Sequence, residues 1–91
     1  MDERIGFVGI VIEDLSRSEQ VNRILSEYGD MITGRIGVPD HEAGRGVIGV
    51  LIKGNVKRLG AMTGKLGNVS GVTVKSAVTK EKGEENEKRT E

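Results

Sequence analysis

The alternation of apolar and polar residues along the chain predicts four β-strands. Residues 4–14 (RIGFVGIVIED) and 46–54 (GVIGVLIKG) are apolar at both odd and even positions, which is typical of central strands covered on both faces. Residues 31–38 (MITGRIGV) and 72–79 (VTVKSAVT) alternate apolar with polar or small side chains, as edge strands do. Pro39 cannot donate a hydrogen bond to a ladder, so we expect the second strand to end there.

Two further segments repeat apolar residues at helical spacing. The first helix is predicted to begin at a capping box made by Ser16 and Glu19, and to end at Gly29 in the left-handed conformation. Its apolar stripe consists of Val21, Ile24, Leu25 and Tyr28. The second helix is predicted to begin at Asn55, a favourable N-cap residue. Its apolar stripe consists of Val56, Leu59, Thr63 and Leu66.

Gly60 and Gly64 lie four residues apart and therefore share one face of the second helix. Each glycine costs about 1 kcal/mol relative to alanine in a helix interior, so we expect a compensating role. The favoured interpretation is close packing of this helix on the sheet or on a partner helix. Space for a ligand is the alternative.

The element order βαββαβ predicts an α+β fold, a ferredoxin-like sandwich in which two helices cover one face of a four-stranded antiparallel sheet. We expect one domain over residues 1–79. Residues 80–91 (KEKGEENEKRTE) carry nine charges of both signs and no large apolar side chain, and are expected to form a disordered tail.

The two central strands imply a partner, because two helices leave one of their apolar faces uncovered. We assign Val8, Ile10, Ile48 and Val50 to that open face, where burial of each side chain would contribute roughly 1.5–3 kcal/mol. The expected partner is a second copy of the chain. A homo-oligomer, dimer or tetramer, would form through the open sheet face or through the strand edges.

Composition narrows the classes of function. The 91 residues contain 14 Lys and Arg against 14 Asp and Glu, so the net charge is zero. Nucleic acid is disfavoured as a partner, because the chain has no excess of positive charge to attract it. There is no cysteine, which excludes disulfides and thiolate chemistry. No apolar run approaches the roughly 20 residues that span a bilayer, and no export leader is recognised. We therefore expect a cytoplasmic protein without a membrane partner.

Residue types that could carry chemistry concentrate between residues 34 and 49 (GRIGVPDHEAGRGVIG), which hold the only proline and the only histidine. The string GRGVIG matches a dinucleotide-binding glycine pattern, but it enters a predicted strand, so no helix N-terminus follows to bind a pyrophosphate. The predicted topology places no nucleophile beside His41, and one histidine per protomer makes a metal site only if several protomers combine. We predict no catalytic residue, no cofactor and no metal site, and hence no enzyme. The hairpin is instead the candidate surface for ligand or partner contact, through Arg35, Asp40, His41, Glu42 and Arg45.

Three strings resemble a known family. Residues 4–14 (RIGFVGIVIED), 21–39 (VNRILSEYGDMITGRIGVP) and 61–80 (AMTGKLGNVSGVTVKSAVTK) are similar to small ACT-like proteins that are proposed regulators of the iron-only hydrogenase system. The resemblance extends over nearly all of residues 4–80, and is compatible with a member from a thermophilic bacterium. It implies a ferredoxin-like fold of the ACT or nickel-repressor C-terminal type, oligomeric assembly, and a regulatory role without assigned catalytic residues.

Two departures limit what the resemblance implies. Amino-acid-binding ACT domains place a glycine after the first strand, where this chain has residues 13–16 (EDLS), and this argues against amino-acid binding. Nickel-repressor domains use several histidines and a cysteine, whereas this chain has one histidine and no cysteine.

The leading hypothesis is a non-enzymatic regulatory module that acts as a homo-oligomer. Near the hairpin, its interface would sense a small-molecule effector or dock a protein of the hydrogenase system. The alternative is a DNA-binding transcriptional regulator, although no DNA-reading motif is recognised. Its basic surface would be assembled across the oligomer from Arg35, Arg45, Lys57, Arg58 and Lys65.

Overall fold

The computed structural model describes residues 3–79; the predicted disordered tail, residues 80–91, lies outside this range. Short 3-10 turns at Leu15–Arg17 and Gly29–Met31 flank the first helix. The regular elements, in chain order, are β1 (Glu3–Ile12), α1 (Ser18–Glu27), β2 (Ile32–Asp40), β3 (Arg45–Asn55), α2 (Val56–Gly67) and β4 (Val72–Val78).

The four strands form one antiparallel sheet in the order β2-β3-β1-β4. The doubly apolar strands β1 and β3 are central, and both helices pack on one face, so the predicted ferredoxin-like α+β architecture is confirmed. Val8 of β1 lies opposite Val50 of β3 on one side and opposite Ser76 of β4 on the other.

The helices cover the even-numbered residues of β1 and β3. Val8, Ile10, Ile48 and Val50 are buried beneath them, so our assignment of these four side chains to the open face is wrong. Both alternate sets are apolar, and a period of two residues defines two faces without showing which one the helices cover. The rest of the core consists of Ile12, Val21, Leu25, Tyr28, Met31, Ile52, Leu59, Met62, Leu66 and Val69.

Both ends of α1 differ from the prediction. Asp14 accepts a hydrogen bond from the Ser16 backbone N–H at 3.0 Å and starts the 3-10 turn that leads into α1, so Ser16 and Glu19 form no capping box. This hydrogen bond lowers the pKa of the Asp14 carboxyl. Gly29 is not left-handed, because it begins the second 3-10 turn.

Asn55 caps α2 as predicted. Its side-chain oxygen accepts hydrogen bonds from the backbone N–H groups of Lys57 at 2.7 Å and Arg58 at 3.3 Å. The apolar stripe is shifted from the prediction, since Val56 is exposed and Thr63 is only partly buried. The buried residues of α2 are Leu59, Met62 and Leu66.

Gly60 and Gly64 do not pack closely on the sheet. A Cβ atom built at either position would meet no atom within 4 Å among the described residues. The favoured interpretation, close packing of this helix, is therefore wrong where the sheet is concerned. Packing on a partner helix and space for a ligand stay predictions.

A bulge at the start of β2 changes which side chains face the helices. Ile32 lies opposite Ile52 and Gly34 lies opposite Leu51, so Thr33 is one extra residue on β2. Ile32 is partly buried against the core, whereas Ile36 beyond the bulge is exposed on the other face. Regular alternation along residues 31–38 places these two isoleucines on one side of the strand.

Strand β2 also continues past its proline. Pro39 lies opposite Gly46, and the ladder extends to Asp40 opposite Arg45. An edge strand tolerates proline because one side of its backbone has no neighbouring strand to bond.

Candidate functional site

The β2–β3 hairpin is fixed to the loop between β1 and α1. Its turn, residues 41–44 (HEAG), is closed by the Asp40 carboxylate, which accepts a hydrogen bond from the Ala43 N–H at 3.2 Å. Gly44 has a φ of 70°, a conformation that favours glycine. The Gly44 carbonyl accepts a hydrogen bond from the Leu15 N–H at 2.9 Å, so the hairpin and the start of α1 are held together.

The structure divides the five predicted contact residues between two faces of the sheet. Asp40 and Arg45 lie opposite each other at the end of the ladder, and His41 and Glu42 are exposed in the turn. Arg35 lies on the helix side, because its register partner on β3 is a core residue. The role of these residues in ligand or partner contact stays a prediction.

A cleft of about 250 Å³ lies between β2 and the start of α1, and we call it the helix-side cleft. Its polar lining consists of Ser18 and Asn22 from the first helix and Arg35 from β2. Its apolar lining includes Ile12, Leu15, Pro39 and Ile48.

Arg35 is positioned in the cleft by a contact with the first helix. One of its Nη2 hydrogens is donated to the side-chain oxygen of Asn22. The bulge at Thr33 allows this contact, since it turns Arg35 toward the helices and Ile36 away from them. The remaining guanidinium N–H groups and the Asn22 amide N–H groups are available as donors at the cleft.

Gly37 leaves the cleft open at its floor. Its register partner is Ile48, whose side chain is in the core, so a side chain at position 37 would point into the cleft. A Cβ atom there would meet only the Ile48 side chain, at an ordinary contact distance of 3.9 Å.

The opposite face of the sheet is apolar and uncovered within the described residues. We call it the open sheet face. Its large apolar side chains are 38% to 65% exposed and are Ile5, Phe7, Val11, Ile36, Val38, Val47 and Leu51. The edge strand β4 adds Thr73, Lys75 and Ala77 to this face. The Phe7 ring lies over Gly49, where a Cβ atom would come within 2.5 Å of the ring.

The helix-side cleft and the open sheet face meet at the hairpin end of the sheet. A second depression, of about 330 Å³, lies on the open side there and is lined by Val11, Asp40 and Arg45. Val38, Gly46 and Val47 line both this depression and the helix-side cleft. The two hollows are therefore separated by a single layer of backbone.

Three cations proposed for the DNA-binding alternative have partners within the chain. Arg35 donates a hydrogen bond to Asn22, as described above. Arg58 donates two hydrogen bonds to the Asp30 carboxylate, at 2.5 and 3.0 Å. Lys65 forms an ion pair with Glu27 at 3.1 Å. The Asp30 carboxylate raises the pKa of Arg58, and Glu27 raises the pKa of Lys65. These contacts join α2 to the end of the first helix.

Two further kinds of site are absent from residues 3–79. No group of three or more His, Cys, Asp or Glu side chains is arranged to hold a metal ion there. No helix in this range combines the length and the apolar character that crossing a membrane requires.

A family model described as "TM1266-like: Iron-only hydrogenase system regulator, putative" matches residues 4–76. The chain belongs to this family. The structure is similar to that of protein TM1266 from Thermotoga maritima, with a TM-score of 0.81 and 35% sequence identity. That match covers 87% of this chain and 100% of the other.

The family fold also matches a domain of a larger regulatory class. The ACT domain from GTP pyrophosphokinase of Chlorobium tepidum has a TM-score of 0.66 and 25% identity, over 85% of this chain and 89% of that one. A search of curated proteins gives no match. The family and the ACT likeness together support a regulatory module.

Sequence reasoning did not find Ser18, Asn22 or Gly37 as parts of a site in this family member. Each belongs to a residue type that is common on a helix surface or in a strand, so none stands out alone. Their grouping depends on the bulge at Thr33, which sets the side of β2 that meets the first helix. Regular alternation also predicts a polar residue after Ile32, so Thr33 gives no local signal of that bulge.

Proposed function

We propose that this chain is a non-enzymatic regulatory module of the iron-only hydrogenase system that binds a small effector in the helix-side cleft. In this proposal it acts as a homo-oligomer, and a second copy covers the open sheet face. The family description and the likeness to an ACT domain support the regulatory role.

One observation carries the proposal: the helix-side cleft and the depression on the open sheet face share Val38, Gly46 and Val47. An effector that moves the end of β2 would also move side chains that contact the second copy. Effector binding and assembly are then coupled. By linkage, the factor by which the effector changes the affinity between copies equals the factor by which assembly changes the affinity for the effector.

The occupant of the open sheet face follows from its apolar side chains and its charged rim. Seven large apolar side chains on β1, β2 and β3 are 38% to 65% exposed, and a second copy would remove them from water. The rim carries both signs of charge, with Asp40 and Arg45 at one end and Glu3 and Lys53 at the other, which suits self-association.

The assembly is tested by light scattering coupled to size exclusion. We expect the wild-type chain to elute as a dimer or tetramer of 9.8 kDa protomers. Leu51→Lys places a charge at the centre of the open sheet face and should release monomer. Ala61→Lys adds the same charge on exposed α2 and should leave the assembly intact. A 9.8 kDa wild-type species would overturn the homo-oligomer.

The effector is tested by thermal shift with amino acids, nucleotides, organic acids and divalent metals, followed by light scattering of any stabilised sample. We expect at least one compound to raise the melting temperature and to shift the oligomer equilibrium. If none stabilises the chain, the sensing role is overturned, and a role in docking a hydrogenase-system protein is favoured. Salt-dependent retention on duplex DNA would instead favour the transcriptional regulator.

A further inference from the structure

The polar side chains of the helix-side cleft are all hydrogen-bond donors. Arg35 carries the one charge in the lining, and its guanidinium has four N–H groups besides the one that bonds Asn22. Asn22 gives its oxygen to Arg35 and therefore presents its amide N–H groups. The hydroxyl of Ser18 is a third donor.

The lining contains no acidic side chain to pair with a positive group. A ligand with an ammonium group would leave that charge without a side-chain counter-ion, whereas a carboxylate would meet a guanidinium in the bidentate geometry that both groups favour. Hydrogen-bond donors on one side of the cleft, with a cation that has no acidic side chain beside it, are typical of a site that binds an anion.

The remainder of the cleft is apolar. Leu15, Pro39 and Ile48 lie along it, and Gly37 leaves space between them and Arg35. A ligand that consists of charge alone would leave these surfaces in contact with water. A short hydrocarbon body would cover them and gain the hydrophobic contribution of roughly 25 cal/mol per Å².

We propose that the helix-side cleft binds a small organic carboxylate that has an apolar body and no ammonium group. The carboxylate lies against Arg35 and Asn22, and the hydrocarbon body lies over Gly37 toward Pro39. This inference rests on the proposed function, because it names the class of effector that the sensing cleft takes.

The test uses the full chain and three matched probes: pentanoate, pentanamide and norvaline, which share a hydrocarbon body and differ in charge. Amide signals of Ser18, Gly37 and Gly46 report on the cleft in ¹⁵N-resolved NMR titrations, and those of Gly60 and Gly64 on α2 are remote controls. Pentanoate should shift the cleft signals saturably. Pentanamide should bind at least about tenfold more weakly, because it cannot make the charge-assisted hydrogen bond of a carboxylate. Norvaline should also bind at least about tenfold more weakly, because its ammonium group would enter the cleft without an acidic side chain to pair with.

Three variants and one control separate the effect of charge from the effect of shape. Arg35→Gln should abolish the preference for pentanoate over pentanamide, and Arg35→Lys should restore part of it. Gly37→Val should fill the cleft and remove binding of every probe. Gly60→Ala is the matched glycine control that should bind as the wild type does. Dispersed amide signals show that each variant is folded.

The outcomes distinguish this inference from the proposed function. If pentanamide shifts the cleft signals as strongly as pentanoate, the sensing cleft stands and the carboxylate class is wrong. If norvaline does so, the sensing cleft stands and the exclusion of an ammonium group is wrong. Equal shifts with inorganic phosphate would overturn the need for an apolar body. If neither these probes nor any thermal-shift compound moves the cleft signals, both the ligand class and the sensing role are overturned.

Discussion

The guanidinium carbon of Arg58 lies 5.3 Å from the centre of the Tyr28 ring. The ammonium group of Lys65, two helical turns further along α2, lies at the same distance from that ring. Tyr28 ends the first helix and is buried, so its ring contacts two cations of the other helix. Asp30 and Glu27 bind the same two cations.

This arrangement predicts that Tyr28 is important for stability. Tyr28→Ala should lower the free energy of unfolding by about 3 kcal/mol or more, because it leaves a cavity in the core and removes both cation contacts. Urea denaturation followed by circular dichroism measures the change. Tyr28→Phe keeps the ring and should cost less than about 1.5 kcal/mol. Equal losses in the two variants would mean that the ring itself contributes little.

The ion pair of Asp30 with Arg58 predicts a dependence of stability on acid. Arg58 lowers the pKa of the Asp30 carboxyl below its ordinary value of 3.8. A group whose pKa falls on folding stabilises the protein above the unfolded value, and this contribution is lost as the pH falls through the folded value. Unfolding free energy should therefore decline below pH 3.8.

Two variants assign that decline to the pair. Asp30→Asn and Arg58→Gln should each flatten the slope of unfolding free energy against pH below 3.8, and the double variant should flatten it no further. Asp14, whose pKa is also lowered, contributes the slope that remains. An unchanged slope in Asp30→Asn would contradict the assignment.

Gly60 and Gly64 predict a gain in stability. Alanine at either position meets open space, so each substitution should raise the free energy of unfolding by about 0.5–1 kcal/mol through helix propensity. Chemical denaturation of the two variants checks this. Light scattering of the same samples should show the molar mass of the wild-type chain. Loss of the oligomer would place this face of α2 between copies and contradict assembly through the sheet.

Two glycines of β1 predict opposite responses to alanine. A Cβ atom at Gly6 would lie 2.5 Å from the Ala77 carbonyl oxygen, and backbone cannot move away cheaply, so Gly6→Ala should cost about 1–3 kcal/mol. At Gly9 the nearest atoms are 3.8 Å away, and Gly9→Ala should be neutral or slightly stabilising. Thermal unfolding of the two variants makes the comparison. Similar melting temperatures of the two variants would show that the β4 backbone at Ala77 moves far enough to accommodate the added methyl group.

The architecture was predictable because its signals are local and agree with one another. Central strands were recognised by apolar residues on both alternations, and Asn55 by its place before a helical stripe. The side of the sheet that the helices cover was not predictable from the period alone. The glycines do not distinguish the two faces either, since Gly9 and Gly49 interrupt one apolar set and Gly6 and Gly46 interrupt the other.

The candidate site was only partly predictable. The hairpin drew attention because its residue types are rare elsewhere in the chain, and it does border both hollows. The contact between Arg35 and Asn22 joins residues of two elements whose relative phase depends on one bulge. A prediction that assumes regular alternation along β2 omits the extra residue, and it therefore assigns Arg35 and its neighbours to the wrong faces of the sheet.

The bulge at Thr33 therefore determines more than the geometry of an edge strand. With regular pairing, Arg35 would point to the open sheet face, and Ile36 and Val38 would point toward the helices. The single extra residue reverses these directions. It places the charged Arg35 on the helix side of the sheet, and the apolar Ile36 and Val38 on the open sheet face. Removing the bulge by deleting Thr33 would leave Arg35 on the helix side, whereas pairing Thr33 regularly with β3 would move Arg35 to the open sheet face.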